Sequence, residues 1–132
     1  MSRLVIGLGF RDEVSAQSIT EALSAVAARA ARPEAEAVLA VPEDKAAHPA
    51  LHAAAKARCL SIQTASADAM READARVITR SEQTRTHRNV GSVCEAVALA
   101  VAGTDARLIV SRIVSADRRA TAAAAAIEDL PS

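Results

Sequence analysis

Residues 4–19, LVIGLGFRDEVSAQSI, set an arginine and several hydroxyl and acidic side chains directly after an apolar run that carries glycines at 7 and 9. Arg11 offers a planar fork of N–H donors, which suits a carboxylate or a phosphate. The G-x-G spacing is shared with dinucleotide-binding turns. Such a turn needs a third small residue where helix meets strand, and here that position is Asp12, whose bulk and charge oppose a pyrophosphate. Gly7 and Gly9 then read as places of close approach or unusual backbone, with Arg11 projecting from the strand's carboxyl end.

A second chemical stretch is TRSEQTRTHRNVGS, residues 79–92. Arg80, Arg85 and Arg88 alternate with the hydroxyls of Thr79, Ser81, Thr84 and Thr86, and Gly91 and Ser92 lead into a helix whose first N–H groups are free. Guanidinium forks, short hydroxyls and a helix start together suit an anion. A solvated loop is the plain alternative, since Val90 is the stretch's only large apolar side chain.

The other reactive side chains carry less. His48 and His52 form H-x-x-x-H, but Pro49 replaces the glutamate of a metalloprotease helix and only His87 is left as a third ligand. A solvated helix start without metal is expected there. Cys59 and Cys94 lie in apolar surroundings and read as small buried hydrophobes in a reducing compartment. Cys94 stands near a helix start, but no neighbour in sequence offers it a base.

The elements that must position these groups alternate in type. Buried strands are expected at Leu4 to Gly9 and Ala37 to Val41, apolar on both faces, with a weaker strand at Cys59 to Gln63, a brief one at Val77 and Ile78, and another from Arg107. A helix capped by Ser15 or Ser18 carries Ile19, Ala22, Leu23, Val26 and Ala30 on one face. Further helices are expected from Pro49 to Arg58, from Ser66 to Ala73, and from Ser92 to Gly103. The tail RRATAAAAAIEDLPS favours a helix by propensity, yet its place after a strand and a short basic turn, SADRR, suits a hairpin partner. The alternation argues for a three-layer α/β sandwich around a mixed, largely parallel sheet of about five strands with a C-terminal strand pair, in one domain over residues 1–132.

Composition removes several function classes. Sixteen basic and sixteen acidic side chains cancel, so no global field draws nucleic acid or an anionic membrane. One Phe, with no Trp or Tyr, leaves almost nothing on which bases stack. No run approaches the ~20 apolar residues of a membrane span, and the N-terminus lacks a signal sequence, so a cytoplasmic protein is expected.

Four blocks, GLGFRDEVSAQSI, AVLAVPEDKAAHPAL, TRSEQTRTHRNVGSVCEAVAL and LIVSRIVSADRRATAAAAAI, together resemble the CobE/CbiG C-terminal domain family of cobalamin biosynthesis, in the family's order. The resemblance matches Gly7, Gly9, Arg11 and Ser15 in the first block, Lys45 in the second, and Thr79, Ser81, Gly91 and Glu95 in the third. It departs at Arg112, where many relatives have lysine, and in the alanine-rich final strand, which the family's closing strand pair places as an edge strand. It implies the stand-alone form of the domain and a role in the corrin pathway, where CbiG-type proteins open the ring-A δ-lactone of cobalt-precorrin-5A and release acetaldehyde. The substrate-binding set is then Gly7, Gly9, Arg11, Ser15, Lys45, Thr79, Ser81, Arg85, Arg88, Gly91, Ser92 and Arg112. No cofactor is implied, and the expected partners are a precorrin and other corrin-pathway enzymes, with a homo-oligomer left open.

Scattered cationic forks suit a flat apolar ring rimmed with acetates and propionates. Lactone opening would also need a base, and Asp12, Glu13, Glu43, Asp44 and His87 all remain open for that role. The absence of a clear base favours binding over independent hydrolysis. A non-catalytic tetrapyrrole carrier and a nucleotide- or phosphate-binding regulatory module stay as rivals.

Overall fold

The computed structural model describes residues 2–30, 37–73, 93–103 and 106–128. Strand β1 (Ser2–Phe10) extends the apolar run at both ends. Helix α1 (Ala16–Ala30) begins where Ser15 Oγ accepts the Ser18 backbone N–H at 3.1 Å, and it buries Ile19, Ala22, Leu23 and Val26. Ser15, rather than Ser18, is therefore the cap. Strand β2 (Ala37–Pro42), a 3₁₀ turn (Glu43–Lys45), helix α2 (Pro49–Arg58), strand β3 (Ile62–Ala65) and helix α3 (Ala67–Ala73) follow. Helix α4 (Val93–Ala102) then leads to strands β4 (Arg107–Val114) and β5 (Ala120–Glu128).

Among the described residues these strands make one sheet in the order β3-β2-β1-β5-β4. β1, β2 and β3 are parallel, and β5 runs antiparallel to both β1 and β4. The expected mixed sheet is present, with its parallel part on one side and the C-terminal strand pair on the other. Side chains alternate across β1. Leu4, Ile6 and Leu8 enter a core with Ile19, Leu23, Val26 and Leu51 from α1 and α2, while Val5 joins Met70, Val97 and Leu99 from α3 and α4 on the other face. Helices therefore cover both faces, as three layers require.

Close approach, not unusual dihedrals, accounts for the two glycines of β1. A Cβ on Gly7 would stand 2.0 Å from the Cys94 carbonyl oxygen and 2.8 Å from the Ala98 Cβ. One on Gly9 would stand 2.8 Å from Thr121 Oγ1. Helix α4 thus rests its backbone directly on the strand. Among the described residues the glycine with positive φ is Gly103, at 103°, where its N–H bonds Leu99 O and ends α4.

The alanine tail is a strand against its propensity, but not the edge strand expected: β5 lies between β1 and β4, and the edge falls to β4. Ala122 to Ala126 are all buried, paired with β1 on one side and β4 on the other. Two rows of strand hydrogen bonds and a helix on either face outweigh an intrinsic preference of less than about 1 kcal/mol per residue.

Two expectations need correction. The third strand starts at Ile62 and not at Cys59, because Cys59 ends α2 in a left-handed conformation with φ 56°. That position also leaves Cys59 exposed, whereas Cys94 is buried as expected. The brief strand expected at Val77 and Ile78 lies outside the described residues.

Candidate functional site

The carboxyl ends of β1, β2, β3 and β4 point the same way, and β5 enters from that end through the turn of residues 115–119. The loop after β1 is fixed from two sides. Arg11 N–H donates to Arg119 O at 3.0 Å, and Val14 N–H donates to Arg11 O at 3.0 Å, which turns the chain toward α1. The Arg11 side chain stays exposed.

Lys45 reaches this loop from the 3₁₀ turn after β2. Its Nζ lies 2.7 Å from Asp12 Oδ1 and 5.6 Å from the Phe10 ring centroid. The Lys45 hydrogen bond and charge hold the Asp12 carboxyl below its ordinary value. Asp12 is 89% exposed, so the pair contributes little to stability and is readily exchanged for another carboxylate.

His48 completes the corner. Its Nδ1 accepts the Ala50 N–H at 3.1 Å as the cap of α2, which leaves Nε2–H to donate to the Asp12 carbonyl at 2.7 Å. The ring also meets Phe10 edge-on at 5.2 Å. His52 Nε2 lies 2.6 Å from Ala46 O. The helix start is thus not simply solvated, which corrects the expectation for HPALH. His48→Ala is expected to lower stability by about 1 kcal/mol, as the loss of an N-cap does, and His52→Ala by less. Urea titration of each single variant measures the difference.

The β4–β5 turn is clasped to α1. Ser18 Oγ donates to Asp117 Oδ2, while Asp117 Oδ1 accepts from Ser115 Oγ at 2.6 Å and from Arg119 N–H at 3.0 Å. Ala116 N–H donates to Glu21 Oε1 at 2.7 Å. Hydrogen bonds from Ser115, Ser18 and the Arg119 backbone lower the Asp117 pKa to about 2. A carboxylate depressed in the folded state adds stability above its unfolded pKa and loses it as pH falls through the folded value. Acid titration from pH 5 to pH 2 is therefore expected to destabilise the parent more than Asp117→Asn. Equal slopes in urea midpoint against pH would refute the clasp.

The sequence-derived residues divide into groups. Arg11, Ser15 and Lys45 all lie on segments at the carboxyl edge, Lys45 tied to the loop after β1 through Asp12. Gly7 and Gly9 lie inside β1 beneath α4. Arg112 stands in β4 two residues before its end, half-buried, with its backbone N–H bonded at 2.9 Å to Oε2 of Glu95, a fully buried residue of α4. Glu95 thereby satisfies a donor beside the irregular pairing of β4 between Val110 and Ile113. Thr79, Ser81, Arg85, Arg88, Gly91 and Ser92 lie outside the described residues. Sequence reasoning missed Ser18 and Asp117, which lie 99 residues apart, and saw Arg118 and Arg119 only as a basic turn. Their signal was the hydroxyl–acid–arginine run SADRR.

Among the described residues no group of three or more His, Cys, Asp or Glu side chains is placed to hold a metal, and no helix is long and apolar enough to cross a membrane. The molecule is an α/β sandwich that gathers exposed cationic and hydroxyl groups at the carboxyl edge of its strands, where open sheets of this class hold small ligands. More particularly, the chain belongs to the family described as the C-terminus of cobalamin synthesis protein G, whose model matches residues 4–125.

Solved structures agree with that membership. CobE, a protein from the cobalamin (vitamin B12) biosynthetic pathway, superposes with a TM-score of 0.88 at 25% identity, over 98% of this chain and 94% of that one. The cobalamin biosynthesis protein chiG from Agrobacterium tumefaciens str. C58 gives a TM-score of 0.69 at 28% identity, over 96% of this chain and 99% of that one. None of the curated proteins matches the chain.

Proposed function

We propose that this domain serves cobalamin biosynthesis by binding a precorrin intermediate at the carboxyl edge of its sheet, around the step that opens the ring-A lactone and releases acetaldehyde. The observation that carries this reading is the placement of Arg11 after β1 and Lys45 after β2 at the same edge of the sheet, Arg11 exposed and Lys45 joined to the largely exposed Asp12 between them in the loop. Carboxylates on a tetrapyrrole rim are the matching groups. Family membership supplies the pathway, and the site chemistry supplies the ligand class.

Holding is the role these residues support best. Lys45 lowers the Asp12 pKa, and the two serine hydroxyls and a backbone N–H lower that of Asp117, so each carboxylate is a weak base toward water. The test is incubation of the protein with precorrin-5-type intermediates, with mass measurement of both the released products and the retained ligand. Retention of the unchanged intermediate supports a binding role, and loss of acetaldehyde adds catalysis to it. Absence of both, with retention of nucleotides instead, overturns the reading.

A further inference from the structure

Backbone pairing places two arginines side by side at this edge. Phe10 pairs with Ala120 at the end of the β1–β5 ladder, and the bond from Arg11 N–H to Arg119 O carries the pairing one step further. That one bond, 3.0 Å from N to O, brings the two backbones together just beyond the ladder, since Arg119 N–H turns to Asp117 and Arg11 O to Val14. Like charges placed opposite one another weaken a strand pair. Among the described residues no ion pair engages the side chain of Arg11, Arg118 or Arg119.

The turn itself does not call for arginines. Arg118 holds φ at 62°, which glycine or asparagine adopts more easily. Asp117 attracts Arg119 by charge alone, as the smallest cause of its lowered pKa, while its oxygens accept from Ser18, Ser115 and the Arg119 backbone. The clasp to α1 nevertheless holds the turn, and with it both arginines, against the loop that carries Arg11.

We infer that Arg119, with Arg118 beside it, joins Arg11 in a receptor for two carboxylates on neighbouring carbons of the ligand, such as the acetate and propionate of one pyrrole ring. This deepens the tetrapyrrole reading above and rests on it. Two exposed guanidinium forks whose backbones share a hydrogen bond match two carboxylates that a five-membered ring holds a few bonds apart. A bound pair of anions also removes the repulsion that the backbone imposes.

The test uses two porphyrins followed by fluorescence titration. Uroporphyrin III carries an acetate and a propionate on every pyrrole; coproporphyrin III keeps the propionates and has methyl groups in place of the acetates. The parent is expected to bind the first roughly tenfold or more tightly than the second. Arg119→Gln retains the backbone bonds of the turn and is expected to bring the two affinities to within about twofold. Arg107→Gln removes the same charge at the opposite end of β4 and should keep the parent's preference. A preference unchanged in Arg119→Gln, or lost equally in Arg107→Gln, overturns the receptor. Equal binding of the two porphyrins by the parent overturns it alone, and binding of neither removes the tetrapyrrole reading as well.

Discussion

Replacing Gly7 by alanine is expected to cost about 3 kcal/mol or more, a large share of the roughly 5–15 kcal/mol that holds a domain folded. The new methyl would stand 2.0 Å from the Cys94 carbonyl oxygen and 2.8 Å from the Ala98 backbone nitrogen. Those are helix backbone atoms, so no side-chain rotation relieves the clash. Helix α4 would have to lift from β1, opening the core that Val5 shares with Val97 and Leu99. Gly9→Ala meets the Thr121 hydroxyl instead, a group that rotates, and is expected to cost only about 1 kcal/mol. Urea midpoints of the two variants give the comparison. A Gly7→Ala protein as stable as the parent would show that the helix does not rest on the strand in this way.

Arg11→Ala is expected to weaken binding of a precorrin by about ten- to a hundredfold, because a charge-assisted hydrogen bond to a carboxylate contributes roughly 1.5–3 kcal/mol. Stability should hardly change. The contacts that fix this loop use the Arg11 backbone N–H and carbonyl, which alanine keeps. Titration of ligand into parent and variant, beside a denaturation curve for each, separates the two effects. Raised salt should weaken the parent's binding as well, though less steeply than for a nucleic acid, since the ring also buries apolar surface. Unchanged affinity with lowered stability would make the strand turn purely structural.

Much of the scaffold was legible because its signals are local. The apolar runs of β1 and β2 and the three- and four-residue spacing in α1 declare themselves within a few residues. The alanine strand did not. Propensity pointed to a helix, and only its position after a basic turn and the family resemblance pointed to a strand. Cys59 misled because CLSI reads as an apolar run, while a left-handed residue at its start is a matter of backbone geometry. The site was legible where one residue type carried it, as with Arg11 and Lys45. It was illegible where long-range pairing carried it: Ser18 with Asp117, Arg112 with Glu95, and Arg119 with Arg11 each join segments far apart in sequence.

The pairing of β1 with β5 spans nearly the whole chain, from Ser2 opposite Glu128 to Phe10 opposite Ala120. On a ribosome, β1 must wait for β5, made about 110 residues later, as Phe10 and its partner Ala120 mark. Until residues 120–128 emerge, β1 has a bare edge beside two glycines and β4 has no neighbour, while the unpaired alanine segment favours a helix. Such non-local closure slows folding and lengthens exposure to aggregation and proteolysis. A chain that ends inside β5 is therefore expected to leave both β1 and β4 with open edges, and to be held together far less firmly than the whole sheet.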